Sequence, residues 1–480
     1  MAAATVAVTT PQFIRVARAV SSPTAIVIGS GIAGLSAAYD LQKAGFAVTV
    51  FEKQHMAGGR MRDDWMGPLF GQVHAEEIFE GNKEMFALAD EIGISNEFTL
   101  NQPDGPMTEL YPVDNGKGVY GTATRMHMTE VLRIPGLSDE TRQRLPSLMS
   151  DLTEIRETVD PCLLHTGAAW DDESIWDYMV RKLGEKGAQE FTNDWVDVAW
   201  LWPWGYKSRD TSKIAMLALV AQQDKRWIDP PEIGLMTATL ASLLDVRLNT
   251  TVMSVSPVDS TGRHTVNHLT ATGQRTSVTP DVVVCATEGN YVIPIVQGLS
   301  NRERTFFERV HMTQDAFVTY ILKTGHGPSV PIGSERITKS HPASKARASE
   351  VDWYAVPGSF PSYFGGDYQN RAIAGCTLMD IHLQDWRESG QSMPDYCLPL
   401  VQRHYPTLTS EIIDDVVVRA GDGLVIIDTG LPGAMAEFIR GQEKARRGLY
   451  FTGEYLSHAH TGGACASGRT VARTIIKHWI

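Results

Sequence analysis

Residues 25–52 read AIVIGSGIAGLSAAYDLQKAGFAVTVFE, an apolar run, a glycine-rich turn, a helical repeat and a second apolar run that ends in an acid. The run AIVI suits a strand buried on both faces of a parallel sheet. Gly29, Gly31 and Gly34 form G-x-G-x-x-G around Ile32 and Ala33. The first glycine allows a tight turn, the second lets backbone approach a pyrophosphate, and the third lets the helix pack closely on the strand. Leu35, Ala38 and Leu41 then recur at helical spacing, and Gly45 is a helix stop. FAVTVF resumes strand character and delivers Glu52, whose carboxylate can accept hydrogen bonds from both hydroxyls of an adenosine ribose and would repel a 2′-phosphate. Strand, turn, helix, strand and acid in this order predict a nucleotide-binding unit, without separating NAD from FAD.

The rest of the chain bounds what surrounds that unit. At 480 residues it exceeds one average domain, and with 43% hydrophobic and 21% charged residues it is ordinary globular material. A formal charge of -13 argues against a nucleic-acid partner and gives no pull toward anionic lipid. The five cysteines are scattered and odd in number with no C-x-x-C pair, which predicts reduced thiols and a cytoplasmic setting. No apolar run reaches the length of a membrane span. Residues 1–22 contain two arginines and no acid. They lack a compact apolar stretch with a cleavage site and read as a disordered tail, with a short transit-like segment as the alternative.

Six positions after Glu52 comes GGRMR at 58–62. Glu52 followed by this motif resembles the FAD-dependent amine oxidases and their phytoene-desaturase and protoporphyrinogen-oxidase relatives. The resemblance implies that Gly58 and Gly59 turn the chain back beside FAD, and that Arg60, and more weakly Arg62, lies near the pyrophosphate and flavin. An arginine beside phosphate also makes sense through charge-assisted bonds. Residues 448–476, GLYFTGEYLSHAHTGGACASGRTVARTII, resemble the closing motif of the same family. The likeness implies that Gly453 and Glu454 stand at the ribityl chain. It likewise implies that Gly463, Ala464, Ser467 and Gly468 form a small-residue helix start facing the flavin. Small residues let backbone N–H groups approach the ring, and a helix N-terminus favours electron density on a reduced flavin.

Between these blocks, residues 246–289 alternate like paired strands, with turn signals at 259–262 and 272–274. By resemblance this is a meander whose last strand, DVVVCAT, returns to the FAD sheet, and Val252 matches a residue whose backbone meets adenine. Plain strand packing explains Val252 equally well. The reading is therefore an α/β protein with an interleaved two-domain architecture. Residues 24–95, 240–300 and 420–480 form a discontinuous Rossmann-like FAD-binding domain, and 96–239 and 301–419 form an α+β substrate domain. The first substrate segment reads as mostly helical; the second carries the strands DAFVTYIL and RAIAGCTLM.

Other groupings carry two readings each. Trp195, Trp200, Trp202, Trp204 and Tyr206 wall an apolar cavity or pack helices. His458 and His460 have the spacing of a metal pair, but no third ligand accompanies them. Beside the flavin either could act as acid, base or substrate contact, which makes them the catalytic candidates. Cys465 is a small packing residue or a covalent tether. Asp380 and His382 could pair at a strand end, and His74 reads as a loop contact. The chain also departs from the family. The flavin-side lysine of monoamine and polyamine oxidases falls near Ala316, flanked by Asp315 and Lys323. The tryptophan before the closing motif is missing from RAGDGLVIIDTGLPG, and PPEIGLM replaces a GGM-like segment. These departures weigh against a standard amine oxidation and leave the cofactor untouched. The expected activity is hydride removal from a small-molecule C–N bond, in an amine or amino acid, with dioxygen as acceptor and a homodimer possible. The alternatives are carbon–carbon desaturation or isomerisation of an apolar substrate, and a flavin-bearing binding protein without turnover.

Overall fold

The computed structural model describes residues 22–66, 69–72, 78–79, 81–97, 108–112, 118–122, 137–192, 196, 206–221, 227–228, 234–326, 332–338, 350–356, 372–379, 381–402 and 406–480. Residues 1–21 of the expected tail 1–22, together with His74, Asp380 and the tryptophans at 195, 200, 202 and 204, lie outside them.

Among the described residues a five-stranded parallel sheet has the order 449–451, 282–285, 24–28, 47–51, 245–247. The strand Thr24–Ile28 sits at its centre, which is why AIVI shows no polar alternation: neighbours on both edges and layers on both faces bury it. Strand periodicity still sorts the side chains. Ala25 and Val27 join Val48, Val50, Val282 and Val284 against Ala37, Ala38 and Leu41 of the helix Ile32–Lys43 and Val471, Ala472 and Ile475 of the C-terminal helix Thr461–Trp479. Ile26, Ile28 and Phe51 face the other way, toward Val255 and Val266. Those two valines belong to an antiparallel meander of strands Thr251–Val255, Val266–Leu269 and Arg275–Val278. The meander and the returning strand Val282–Cys285 bear out the paired-strand reading of residues 246–289.

A second sheet orders its described strands 413–425, 312–322, 373–379, 350–356, 332–338, 108–112, 118–122. The strands read from DAFVTYIL and RAIAGCTLM are Met312–Leu322 and Ile373–Met379, paired antiparallel. Strand Ile413–Val425 runs beside Met312–Leu322 along nearly its whole length, across the expected boundary at 420. The stretch read as mostly helical does supply the helices Asp139–Arg144, Met149–Thr158, Ile175–Ala188 and Lys213–Val220. It also supplies two strands, Thr108–Pro112 and Gly118–Thr122. Five residues with threonine, tyrosine and valine among them suffice for an edge hairpin, but they are too few to show periodicity.

The helix starts follow local chemistry. Ser174 Oγ accepts from Asp177 N–H at 3.1 Å. Ser300 and Glu303 form a reciprocal capping box. Asp171 does the same across the fold: its carboxylate accepts from Gly430 N–H at 2.7 Å and Gly433 N–H at 2.8 Å, capping the helix Leu431–Lys444.

Candidate FAD site

The three glycines of the turn are set apart by their surroundings. Gly29 takes φ +100°, and an added Cβ would meet Ala286 O at 2.8 Å; at Gly34 it would meet Gly29 O at 2.1 Å. Both positions are closed by the protein's own backbone. Gly31 is different: a Cβ there would meet nothing within 4 Å. It projects over the start of helix Ile32–Lys43, whose first turn has neither an acidic residue nor a side-chain cap. Unsatisfied N–H groups at the positive end of a helix, beside open space, fit a pyrophosphate. Ile32 and Ala33 lie in that first turn, both buried.

Glu52 ends the second strand and is buried. Its Oε2 accepts from Ser30 N–H at 2.9 Å and Ser30 Oγ at 2.7 Å, and its Oε1 from Gln54 N–H at 2.9 Å. These bonds fix the carboxylate at the end of the strand. Thr250 N–H donates to Glu52 O at 2.7 Å, so the meander enters beside this acid and Val252 follows, half-buried, opposite His268. Gly58 and Gly59 take φ +116° and +59° and turn the chain back: Gly58 N–H donates to Ser30 O at 2.9 Å, and Gly31 and Gly58 bridge.

That return delivers Arg60 to Glu454. Nη2 of Arg60 lies 2.7 Å from Glu454 Oε1, joining motifs 394 residues apart in sequence. Nε of Arg60 lies 3.8 Å from Glu288 Oε1, and Nη1 donates to Gly423 O. Burial works against the guanidinium charge, but Glu454, Glu288 and Asp315 together hold the Arg60 pKa above its ordinary value. Burial pushes the Glu454 carboxyl up, against the pull of Arg60. Tyr206 Oη donates to Val425 O in the same cluster, and burial followed by the Glu454 charge raises its pKa well above the usual range. Arg62 turns back instead, its Nη1 donating to Gly59 O at 2.7 Å.

Glu288 and Gly423 escaped the sequence reading. A signal existed for Glu288. It follows the strand Val282–Cys285, which is parallel to the glycine-turn strand, so both strand ends open on one crevice. Nothing local marks Gly423, which enters from the second sheet.

In the closing motif Gly453 takes φ +152° beneath the Tyr455 ring. Gly463 and Ala464 lie in the first turn of the C-terminal helix, where a Cβ on Gly463 would meet His458 O at 2.2 Å. Gly468 packs that helix onto the glycine-turn helix: a Cβ there would lie 2.2 Å from both Ala33 O and Ser36 Oγ. Ser467 Oγ hydrogen-bonds Thr452 Oγ1 at 2.8 Å. The two histidines are placed as follows. His458 is fully buried, with Nε2 2.8 Å from Ala215 O, and burial lowers its pKa to about 4. His460 is the helix N-cap: Nδ1 accepts from Gly463 N–H at 3.1 Å and Nε2 lies 3.2 Å from Pro161 O. Burial and the neighbouring His458 push its pKa well down. The rings lie 4.7 Å apart, and among the described residues no group of three His, Cys, Asp or Glu gathers that could hold a metal. Cys465 is buried, its thiol pushed up to about 12 by burial. Ala316 is wholly buried in its strand; position 382 lies on the helix Ile381–Ser389.

The family model for flavin-containing amine oxidoreductases matches residues 32–372. Protoporphyrinogen oxidase 2 of Arabidopsis thaliana is 35% identical over 100 residues, 20% of this chain and 19% of that protein. Phytoene desaturase of Cercospora nicotianae is 63% identical over 38 residues, 8% of this chain and 6% of that one. The chain thus aligns with a fifth or less of the length of these curated relatives. In fold the likeness runs over nearly the whole chain. A structure of putrescine oxidase bound to putrescine has a TM-score of 0.66 at 16% identity, covering 95% of this chain and 99% of that one. Cyclohexylamine oxidase from Brevibacterium oxydans has a TM-score of 0.63 at 15% identity, with 95% and 99% covered. The glycine turn, the acid that ends the second strand, the paired arginine and the matched family model lead to one conclusion: the chain belongs to the flavin-containing amine oxidoreductases and is by family an FAD-dependent oxidoreductase.

Proposed function

We propose that the protein oxidises a C–N bond in a small amine or amino acid, with dioxygen as the electron acceptor. The observation that carries this reading is the charge at the junction of the two sheets. Glu454 at 2.7 Å and Glu288 at 3.8 Å flank the Arg60 guanidinium and Asp315 acts on it too, so the described groups there number more carboxylates than cations, which suits a cationic ammonium better than an apolar chain. FAD, when bound, supplies a two-electron acceptor for a hydride. The chain's own part is positional. Glu52 and the turn Gly29–Gly34 fix the adenosine and pyrophosphate end. Arg60, Gly59 and Glu454 fix the chain between that end and the flavin, and Gly453, Gly463 and Ala464 shape the wall beside the ring. Hydride transfer depends mostly on such orientation, which accounts for the lack of a compact acid–base pair among the described residues. His458 and His460, held neutral by burial, support the wall and take no proton in this reading.

Desaturation of an apolar substrate is the second reading, favoured by one observation: buried Ala316 stands near where amine oxidases carry a lysine. The cytoplasmic reading is supported by five buried cysteines that form no disulfide, and among the described residues no helix is long and apolar enough to cross a membrane. A homodimer belongs to the same proposal and is read out by sedimentation. The deciding experiment is anaerobic titration of the flavin absorbance with amines, amino acids and polyenes. Bleaching by an amine, with peroxide on readmitting air, is the expected result. Bleaching by a polyene alone replaces this reading with the second one.

A further inference from the structure

The neighbouring strands Met312–Leu322 and Ile413–Val425 of the second sheet fall out of step at one end. Met312 pairs with Val425 and Gln314 with Asp422, so Thr313 alone stands opposite both Gly423 and Leu424. This is a β-bulge, which bends its strand and re-aims the groups it carries. The residue types fit it. A Cβ on Gly423 would meet Thr313 Oγ1 at 2.5 Å and Asp315 Oδ2 at 3.2 Å, so the bulge closes only around glycine. Thr313 Oγ1 accepts from Leu424 N–H at 2.9 Å, so the hydroxyl meets the donor that the extra residue puts out of step.

The bulge faces Arg60. Gly423 is buried, and its carbonyl accepts from Arg60 Nη1, while Nη2 donates to Glu454 Oε1 at 2.7 Å. One acceptor would leave the guanidinium free to turn about that contact. Two acceptors on different nitrogens fix the plane of the fork. Gly59, next in the chain, lies against the glycine turn, where a Cβ on it would fall 3.2 Å from Gly31 Cα. The Arg60 side chain is 26% exposed, so the protein holds it without sealing it in. An arginine oriented beforehand loses less freedom when its ligand arrives. We propose that Thr313 is a positioning residue for FAD binding: its hydroxyl holds the bulge at Gly423 and Leu424, and the bulge, through the Gly423 carbonyl, sets Arg60 in the orientation that meets the cofactor. This rests on the reading of Arg60 as a cofactor residue.

The test titrates each apoprotein with FAD, followed by quenching of flavin fluorescence, with a melting curve beside it. Thr313→Val keeps the shape without the acceptor and is expected to raise the Kd for FAD about two- to tenfold, the cost of ordering one long side chain at binding. Thr313→Ala also lacks the acceptor and serves if the valine variant fails to fold. Thr313→Ser keeps the hydroxyl and should bind FAD like the parent, whatever its melting temperature. Arg60→Lys gives up the fork and should itself raise the Kd. Adding Thr313→Val to it should raise the Kd no further, because the bulge then has no guanidinium to orient; a bulge that served the sheet alone would act alike in both backgrounds. Parental Kd in a folded variant without the hydroxyl, an equal loss in the serine variant, or the full valine effect on top of Arg60→Lys overturns the proposal. Parental Kd in Arg60→Lys overturns the cofactor reading of Arg60 instead, so the two failures are told apart.

Discussion

Gly31 and Gly34 stand three residues apart in one motif, and the structure assigns them opposite consequences on substitution by alanine. At Gly34 the new methyl would sit 2.1 Å from Gly29 O, a backbone atom that cannot rotate aside. The helix Ile32–Lys43 would have to move off the strand, an overpacking cost of about 1–3 kcal/mol or more. At Gly31 the methyl meets nothing, and the backbone there, φ -65° and ψ 170°, is one alanine adopts without strain. Alanine at such a site stabilises by about 0.4–1 kcal/mol through the unfolded chain. In a protein of this size that is a rise of no more than about 2 °C in melting temperature. The same methyl occupies the space over the helix start where the pyrophosphate would lie. Displacing an anion from a helix N-terminus forfeits up to about 2 kcal/mol, or roughly thirtyfold in affinity. The assay is a melting curve of each apoprotein followed by an FAD titration. Gly34→Ala should melt about 1–3 °C low; Gly31→Ala should melt at or above the parent yet bind FAD roughly ten- to thirtyfold more weakly. A Gly31→Ala protein that binds FAD like the parent would refute the assignment of open space to the cofactor.

Removing Arg60 should cost more than removing its partner's charge. Arg60→Met strands a buried carboxylate and is expected to cost about 3–5 kcal/mol by denaturant titration, with Glu454→Gln well below that. Gly468→Ala should separate the two packed helices and lower the melting temperature with or without FAD, since the Cβ meets Ala33 O rather than any cofactor space. His458 gives a pH signature. Its folded pKa of about 4 lies below the ordinary histidine value, so between about 6.5 and 4 the unfolded chain takes a proton that the native one refuses. Its contribution is thus complete above about pH 6.5 and lost as pH falls, by about 3 kcal/mol at the acid end. Stability measured from pH 7 to 4 should fall less steeply in His458→Gln than in the parent; parallel slopes would refute the assignment.

What could be read from residues alone tracks the range of the interactions. The unit 24–52 was legible because its strand, turn, helix and acid are neighbours in the chain and each signals its own geometry. The C-terminal helix was legible for the same reason, but the role of His460 was not. Its imidazole caps a helix, a task usually left to serine, threonine, asparagine or aspartate, so its spacing from His458 suggested chemistry instead. The hairpin at 108–122 and the strand Ile413–Val425, with Asp414, Asp415, Arg419 and Asp422 along it, take their form from sheet neighbours that their own patterns do not encode. The grouping of Glu288, Asp315 and Gly423 about Arg60 depends on strands from both sheets arriving together, which no local window contains.

The interleaving also sets an order on the ribosome. Strands Thr24–Ile28 and Ala47–Phe51 emerge early, yet Val282–Cys285 takes its outer neighbour from Leu449–Phe451 and the helix layer is closed by Thr461–Trp479. A nascent chain that has already made the glycine turn must therefore carry an open sheet edge through the synthesis of about 400 further residues, roughly 20–80 seconds at ordinary elongation rates. Exposed edges of that kind template wrong pairings. Chaperone demand and losses during expression should accordingly concentrate on chains truncated before residue 449, while the complete chain, once its sheet closes, no longer offers that edge.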